Sequence, residues 1–244
     1  MKTNILFITI VLIGLQVNSV QAQEGSTEAS QKVKKINWNS DLEASLLQFA
    51  NYTANGYSKR TIPRFTYFFN VGVEASLNSL KKNPINPFTG ISIKNIGLIT
   101  KSDSVKNKYR VYALGVPVGF RIKIGANSFL KTGVDFNWAF NYKEKTFIND
   151  KKKSKFNEFF SDRTAQFYPA FFGGLEIEKM KICTAYYPVN LFNQSYTSKN
   201  GLTPYSNVEA NIFTVSVGVD LQIIFQQRNK KNSSTEASST EPTL

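Results

Sequence analysis

The chain has 244 residues, 30 of them lysine or arginine and 17 aspartate or glutamate, giving a formal net charge of +13, with one cysteine and no histidine. Without histidine, peptide and acyl hydrolysis that uses imidazole as general base is excluded; one thiol supplies too few ligands for a His/Cys zinc site and cannot form an internal disulfide. Beyond the N-terminal segment no run of about 18 apolar residues occurs, which excludes helical membrane spans but not barrels, because half of each barrel strand faces a polar interior.

Residues 1–22 open with Lys2, run through an apolar core at residues 5–13 and end at Val20-Gln21-Ala22, the composition of a secretory signal peptide cut between Ala22 and Gln23. No cysteine follows that core, so lipid attachment at the cut is not expected. Residues 23–35 form a periplasmic N-terminal segment, residues 36–225 a single barrel domain, and residues 226–244 a polar, aromatic-free tail expected to be disordered.

Within 36–225 the chain repeats stretches that alternate apolar with polar or small residues, the period of a strand with two unlike faces. The first carries Ile36, Trp38, Leu42, Ala44 and Leu46 against Asn37, Asn39, Asp41, Glu43 and Ser45. The second, residues 65–77, sets Phe65, Tyr67, Phe69, Val71, Val73, Ala75 and Leu77 against Thr66, Asn70, Gly72, Glu74 and Ser76. In the third, residues 88–100, Ile91 and Ile93 share a parity that Ile96 and Leu98 do not, so a β-bulge is expected near Lys94-Asn95. The fourth has Tyr112, Leu114, Val116, Val118, Phe120 and Ile122 opposite Gly115, Pro117, Gly119, Arg121 and Lys123, and Pro117 calls for a local bulge or widened hydrogen bonding. A tight turn at residues 125–128 leads to the fifth, where Leu130, Val134, Phe136, Trp138, Phe140 and Tyr142 oppose Lys131, Gly133, Asp135, Asn137 and Asn141. Residues 143–163 read as the longest loop, basic and holding Phe156, Phe159 and Phe160. The sixth strand sets Phe167, Pro169, Phe171, Gly173, Leu175 and Ile177 against Tyr168, Ala170, Phe172, Gly174, Glu176 and Glu178. The seventh, residues 181–191, has no clean parity; the eighth sets Phe213, Val215, Val217, Val219, Leu221, Ile223 and Phe225 against Thr214, Ser216, Gly218, Asp220 and Gln222.

Strands of about nine to eleven residues cross a bilayer at a tilt. The expected fold is therefore all-β: an eight-stranded antiparallel transmembrane up-and-down barrel in the outer membrane of a Gram-negative bacterium, with both termini and the short turns on the periplasmic side. Glu43, Glu74, Asp135, Glu176 and Asp220 share the inward parity with Arg121 and Lys131, and an eight-stranded lumen has room only for side chains, so these charges are expected to pair across a filled interior. Trp38, Tyr67, Trp138, Tyr142 and Phe225 share the outward parity near strand ends, where aromatic rings suit the headgroup zone. Lys151, Lys152, Lys153 and Lys155 make the long loop a candidate docking site for lipopolysaccharide phosphates or a protein partner. Because the basic clusters lie between strands, lipid or polysaccharide is the expected neighbour and nucleic acid is not. No Gly-rich phosphate loop or paired-carboxylate spacing stands out, so no catalytic residue, cofactor or metal is expected, a serine–lysine or carboxylate mechanism being the residual catalytic class. A narrow diffusion channel and a soluble periplasmic lipid-binding barrel of lipocalin type remain open; the latter would turn its apolar face inward.

The stretches at residues 90–99 and 109–118, with Gly133, Gly173 and Gly174, resemble the outer-membrane barrels of Bacteroidota-type bacteria known as the PorT-like family. The similarity spans most of residues 65–225 and is a pattern of barrel strands, not a catalytic signature. It implies a barrel fold with a structural or accessory role in the envelope, and for some relatives a place in type IX secretion.

Overall fold

A computed structural model describes residues 35–66, 69–78, 84–178 and 180–220. The signal peptide with Ala22 and Gln23, the N-terminal segment up to residue 34, Tyr67, Phe225 and the C-terminal tail lie outside the described residues. Among the described residues eleven strands follow one another: β1 (Lys35–Ala54), β2 (Tyr57–Ser58), β3 (Thr61–Ile62), β4 (Phe69–Asn78), β5 (Ile85–Ser102), β6 (Val105–Lys123), β7 (Ser128–Ile148), β8 (Lys151–Phe159), β9 (Phe167–Ile177), β10 (Met180–Tyr187) and β11 (Val208–Asp220). Eight of them, β1, β4, β5, β6, β7, β9, β10 and β11, pair antiparallel in that order. The ring closes because β11 also pairs with β1, from Asp41 opposite Asp220 to Ala54 opposite Val208. Closure leaves no exposed sheet edge in the ring, which is the condition for a sheet to sit in lipid.

Alternation sorts the side chains as a barrel in lipid requires. On β6, Leu114, Val116, Val118 and Phe120 are exposed on the outside, while Ala113, Gly115, Pro117 and Gly119 are buried inside. Phe136 on β7, Phe171, Leu175 and Ile177 on β9, and Ile182 on β10 continue the same outward belt. A lipocalin would show the reverse, so the soluble lipid-binding alternative is overturned: the inward faces at this height carry Lys131, Asp135 and Asn137. Gly119 and Gly133 lie directly opposite each other. A Cβ on Gly119 would stand 2.3 Å from the Thr132 carbonyl oxygen, and one on Gly133 2.3 Å from that of Val118. The inner space over both is taken by the Phe88 and Phe172 rings, whose centroids are 6.0 Å apart.

The interior changes character along its length. At the end shared by the short turns at residues 124–127 and at Glu178 it is polar; towards the other end it becomes an apolar cluster of Ile96, Leu98, Tyr109, Val111, Tyr142, Tyr168, Leu191, Phe192, Tyr205 and Ile212. This corrects the bulge expected at Lys94-Asn95. The pairing of β5 with β6 keeps one register there, Ile93 opposite Leu114, Lys94 opposite Ala113 and Asn95 opposite Tyr112. Ile91 is exposed on the outside, whereas Ile96 and Leu98 are buried inside. The apolar parity switches because the greasy surface moves from outer wall to inner core, not because the strand slips. The extra residues sit elsewhere: Leu46 interrupts the pairing of β1 with β11, and Phe140 that of β7 with β6.

The 143–163 segment is also corrected, since it is a hairpin and not a loop. β7 runs on to Ile148, a two-residue turn follows, and β8 returns along it. Asn149 and Asp150 both have positive φ (49° and 57°), the backbone of a turn that matches strand twist and that short Asx side chains tolerate. β5 and β6 likewise extend to a two-residue turn at residues 103–104, where a longer loop was expected. Strand β10 stops at Tyr187, four residues before the expected end; beyond Pro188, the Asn190 side chain accepts from the backbone N–H of both Phe192 and Ala210. Where β3 gives way to β4, side chains stand in for the ladder. Arg64 donates to the Asn95 side chain (2.6 Å) and to Gln48 Oε1, and the Asn95 N–H reaches Asn70 Oδ1 (3.1 Å).

Candidate functional site

The polar half of the lumen is built from inward positions on all eight ring strands. Lys131 of β7 is the hub: its Nζ lies 2.5 Å from Glu74 Oε2 on β4 and 3.4 Å from Glu176 Oε1 on β9, and 4.5 Å from the centre of the Phe88 ring. Glu176 is held from its other side by Arg121 of β6, Nε to Oε2 2.5 Å. Asp135, fully buried, pairs with Lys94 of β5, and Glu43 of β1 accepts from the Ser216 hydroxyl of β11. Of the charges expected to meet inside, Glu74, Arg121, Lys131 and Glu176 form one connected cluster; Asp135 joins a separate pair and Glu43 a third contact. Asp220 is placed by its backbone, opposite Asp41 at the ring closure.

Two cations escaped the sequence reading. Lys181, 5 % exposed, lies inside on β10, where Gly218 opposite it leaves room for its stem. Lys94 shares its parity with Phe88, Gly90 and Ser92, and that inward series was the available signal; the assumed bulge hid it. Between these groups the lumen keeps a cavity of only about 70 Å³. Buried charges of both signs, paired across a space this small, fill a barrel and do not line an open path.

On the outer wall, Trp138 is 41 % exposed and its ring lies 5.6 Å from that of Phe160, while Tyr112 and Phe140 sit 6.4 Å apart. With Phe159 they form an aromatic girdle at the upper rim of the outward belt, at the headgroup level of a bilayer. Tyr142 does not belong to it. The extra residue at Phe140 turns Tyr142 inward, where it is 1 % exposed and its hydroxyl donates to Glu144 at 3.0 Å. Trp38 is placed by its backbone opposite Ala75.

Above the girdle, β5 to β8 stand clear of the ring as a sheet with one strongly basic outward face. Strand pairing puts Arg110 opposite Lys143, then Lys108 opposite Lys145 opposite Lys155, then Lys101 opposite Lys106, with Lys106 next to Phe147 and Lys152. Lys106 and Lys108 reach the Phe147 ring at 5.8 and 5.1 Å, and Arg110 donates to the Tyr112 hydroxyl at 3.0 Å. The acidic groups of the hairpin are elsewhere: Glu144 and Glu158 bond inward to Tyr142 and Ser161, and Asp150 pairs with Lys106 from the turn (3.2 Å). Partial burial, and then Lys155 and Arg110, hold the Lys143 ammonium below its ordinary value; Lys145 and Lys108 are lowered in the same way by burial first and by neighbouring cations second. Lys152 and Lys155 belong to this face, Lys153 is the bulged residue between them, and Lys151 pairs with Ile148 at the turn. The basic site foreseen at the tip of a loop thus lies along the flank of a sheet, and five of its cations come from β6 and β7. Among the described residues no group of three or more acidic, cysteine or histidine side chains could hold a metal ion.

No protein-family model matches the sequence, and no curated protein does. Among solved structures, the chain is similar to the attachment invasion locus protein Ail of Yersinia pestis, one structure of which is a complex with the heparin analogue sucrose octasulfate: 13% identity over 75% of this chain and 98% of that one, TM-score 0.36. It is similar as well to Neisserial surface protein A, with 9% identity over 76% and 99% of the two chains and a TM-score of 0.36. OprG of Pseudomonas aeruginosa follows, with 9% identity over 76% and 93% and a TM-score of 0.26. These are outer-membrane β-barrel proteins; for the present chain the architecture rests on its own closed ring, outward apolar belt and aromatic girdle, which are those of an eight-stranded outer-membrane barrel.

Proposed function

We propose that the protein is a non-conducting barrel of the Gram-negative outer membrane with a structural or accessory role in the cell envelope. The observation that carries this is the pairing of an outward apolar belt with a lumen closed by the Glu74–Lys131–Glu176–Arg121 cluster and by Phe88 and Phe172. The end where β1 begins and β11 stops, which also carries the short turns, faces the periplasm, and the β5–β8 extension faces outward. Lack of histidine and the seclusion of the charged groups in mutual ion pairs favour a role without catalysis. The resemblance to PorT-like barrels supports a more specific one, as a subunit of a larger outer-membrane or secretion assembly.

The test is purification in mild detergent from the native outer membrane, with the mass and contents of the particle determined. A stoichiometric protein partner establishes the accessory subunit; a lone barrel restricts the role to a stand-alone envelope protein. Steady single-channel conductance of the pure protein in a planar bilayer would refute the closed lumen.

A further inference from the structure

The outward face of β5–β8 puts like charges directly opposite one another. Residues so paired have Cβ atoms only about 4.5–5.5 Å apart, and like charges in that position are destabilising. Here the arrangement recurs in three consecutive rows: Arg110 with Lys143, Lys108 with Lys145 and Lys155, and Lys101 with Lys106. No carboxylate enters the first two rows, because Glu144 and Glu158 are turned inward. A face so arranged is incomplete without anions.

Its height says which anions. Arg110 lies two residues beyond the girdle residue Tyr112 on the same strand, and Lys108 four. At about 3.3 Å per residue and a strand tilt of about 40°, the two rows stand about 5 and 10 Å above the ring layer. The polar headgroup layer of each leaflet is about 5–7 Å thick. The first row therefore falls at the depth of headgroup phosphates and the second just above them. The rows face away from the barrel axis, as do Tyr112, Leu114 and Val116 on the same strand, so what lies before them is the membrane and not the barrel mouth.

Resting on the barrel reading above, we propose that the face formed by Arg110, Lys143, Lys108, Lys145 and Lys155 is a docking surface for the phosphates of phosphorylated saccharolipid headgroups in the outer leaflet. Two rows two residues apart span about 7 Å along the strands, enough for one anionic group to be held by three or four cations. Arg110, already fixed by the Tyr112 hydroxyl, is the pre-positioned member. Partial burial first, and the neighbouring cations second, lower the proton affinity of Lys108, Lys143 and Lys145, and an anion seated between them would offset the second of these.

The test uses the full-length protein folded in maltoside micelles and titrated with diphosphoryl lipid A, with its dephosphorylated form as control. Variants are R110Q/K143Q/K145Q and, with the same loss of charge from other positions, K151Q/K153Q/K199Q. Each surface cation facing an anionic lipid layer contributes about fivefold, so the first variant should weaken binding by about a hundredfold and the second by less than about threefold. Wild type should prefer the diphosphoryl lipid at least tenfold. Equal weakening by both variants, equal affinity for both lipids, or tighter binding of soluble sucrose octasulfate than of the lipid would overturn the proposal. Heat-modifiable gel migration is recorded for every sample: a chain that never shows it refutes the barrel reading, whereas a migrating barrel that ignores the lipid refutes only the docking surface.

Discussion

Lys131 is where the lumen is most sensitive to a single change. Its side chain is 4% exposed and stands between Glu74 and Glu176, themselves 16% and 12% exposed. Lys131→Met keeps the stem and removes the ammonium, leaving two carboxylates on facing walls with Arg121 as the cation held to Glu176. Removing one partner of a buried pair costs about 3–5 kcal/mol. Loss of the contact with the Phe88 ring adds about 0.5–1 kcal/mol, while water entering the small cavity beside the cluster offsets part of the charge term, so we expect about 3 kcal/mol. Equilibrium urea unfolding of the protein in lipid vesicles, followed by tryptophan fluorescence, measures it. The double variant K131M/E74Q should recover about 2 kcal/mol, because the carboxylate whose charge was stranded is then neutral. A K131M barrel within about 1 kcal/mol of wild type, or a double variant no more stable than the single, would refute the view that the cluster is a tightly coupled plug.

Gly119→Ala should destabilise the barrel by about 2 kcal/mol in the same assay, since its Cβ would meet the Thr132 carbonyl oxygen at 2.3 Å and backbone would have to move. Asp150→Gly should stabilise the β7–β8 hairpin by under about 1 kcal/mol, read from its rate of proteolytic cleavage: the turn relieves a positive φ and loses only an ion pair whose carboxylate is 89% exposed. Lys108, Lys143 and Lys145 bind protons more weakly in the folded extension than in the unfolded chain. Between their lowered values and the ordinary lysine value of 10.5 the unfolded chain holds more protons, so stability of the extension should rise with pH through that window. Proteolysis of the hairpin with a protease of constant activity from pH 8 to pH 10 checks the sign, and faster cleavage at the higher pH would contradict it.

The ring itself was legible in the sequence because lipid outside and polar groups inside impose a strict period of two. Segments such as 112–122 and 130–138 keep that period without a break, and their faces are those expected. Reading failed wherever the surroundings changed along one strand. On β5 the apolar face passes from Ile91 outside to Ile96 inside with no slip of register, and a period alone cannot distinguish that from a bulge. On β7 the converse holds: Phe140 is a true extra residue that leaves the spacing of Trp138 and Tyr142 looking regular while turning Tyr142 inward. The hairpin was hidden by composition, since Lys143, Lys145, Lys152 and Lys155 are charged on the face that would be apolar within the membrane. Its basic rows come from pairing between strands and have no signature in local spacing.

The seam between β1 and β11 joins the first strand of the barrel to the last. Every other junction links ring strands that follow one another in the chain, with only β2 and β3 or β8 intervening, whereas this one must wait until β11 has been added. Until then β1 and β10 each offer an unsatisfied edge, the surface on which strands of other molecules add. Assembly therefore has a late, non-local step whose speed sets how long an aggregation-prone intermediate survives. Loss of the last strand would leave the barrel arrested in that open state.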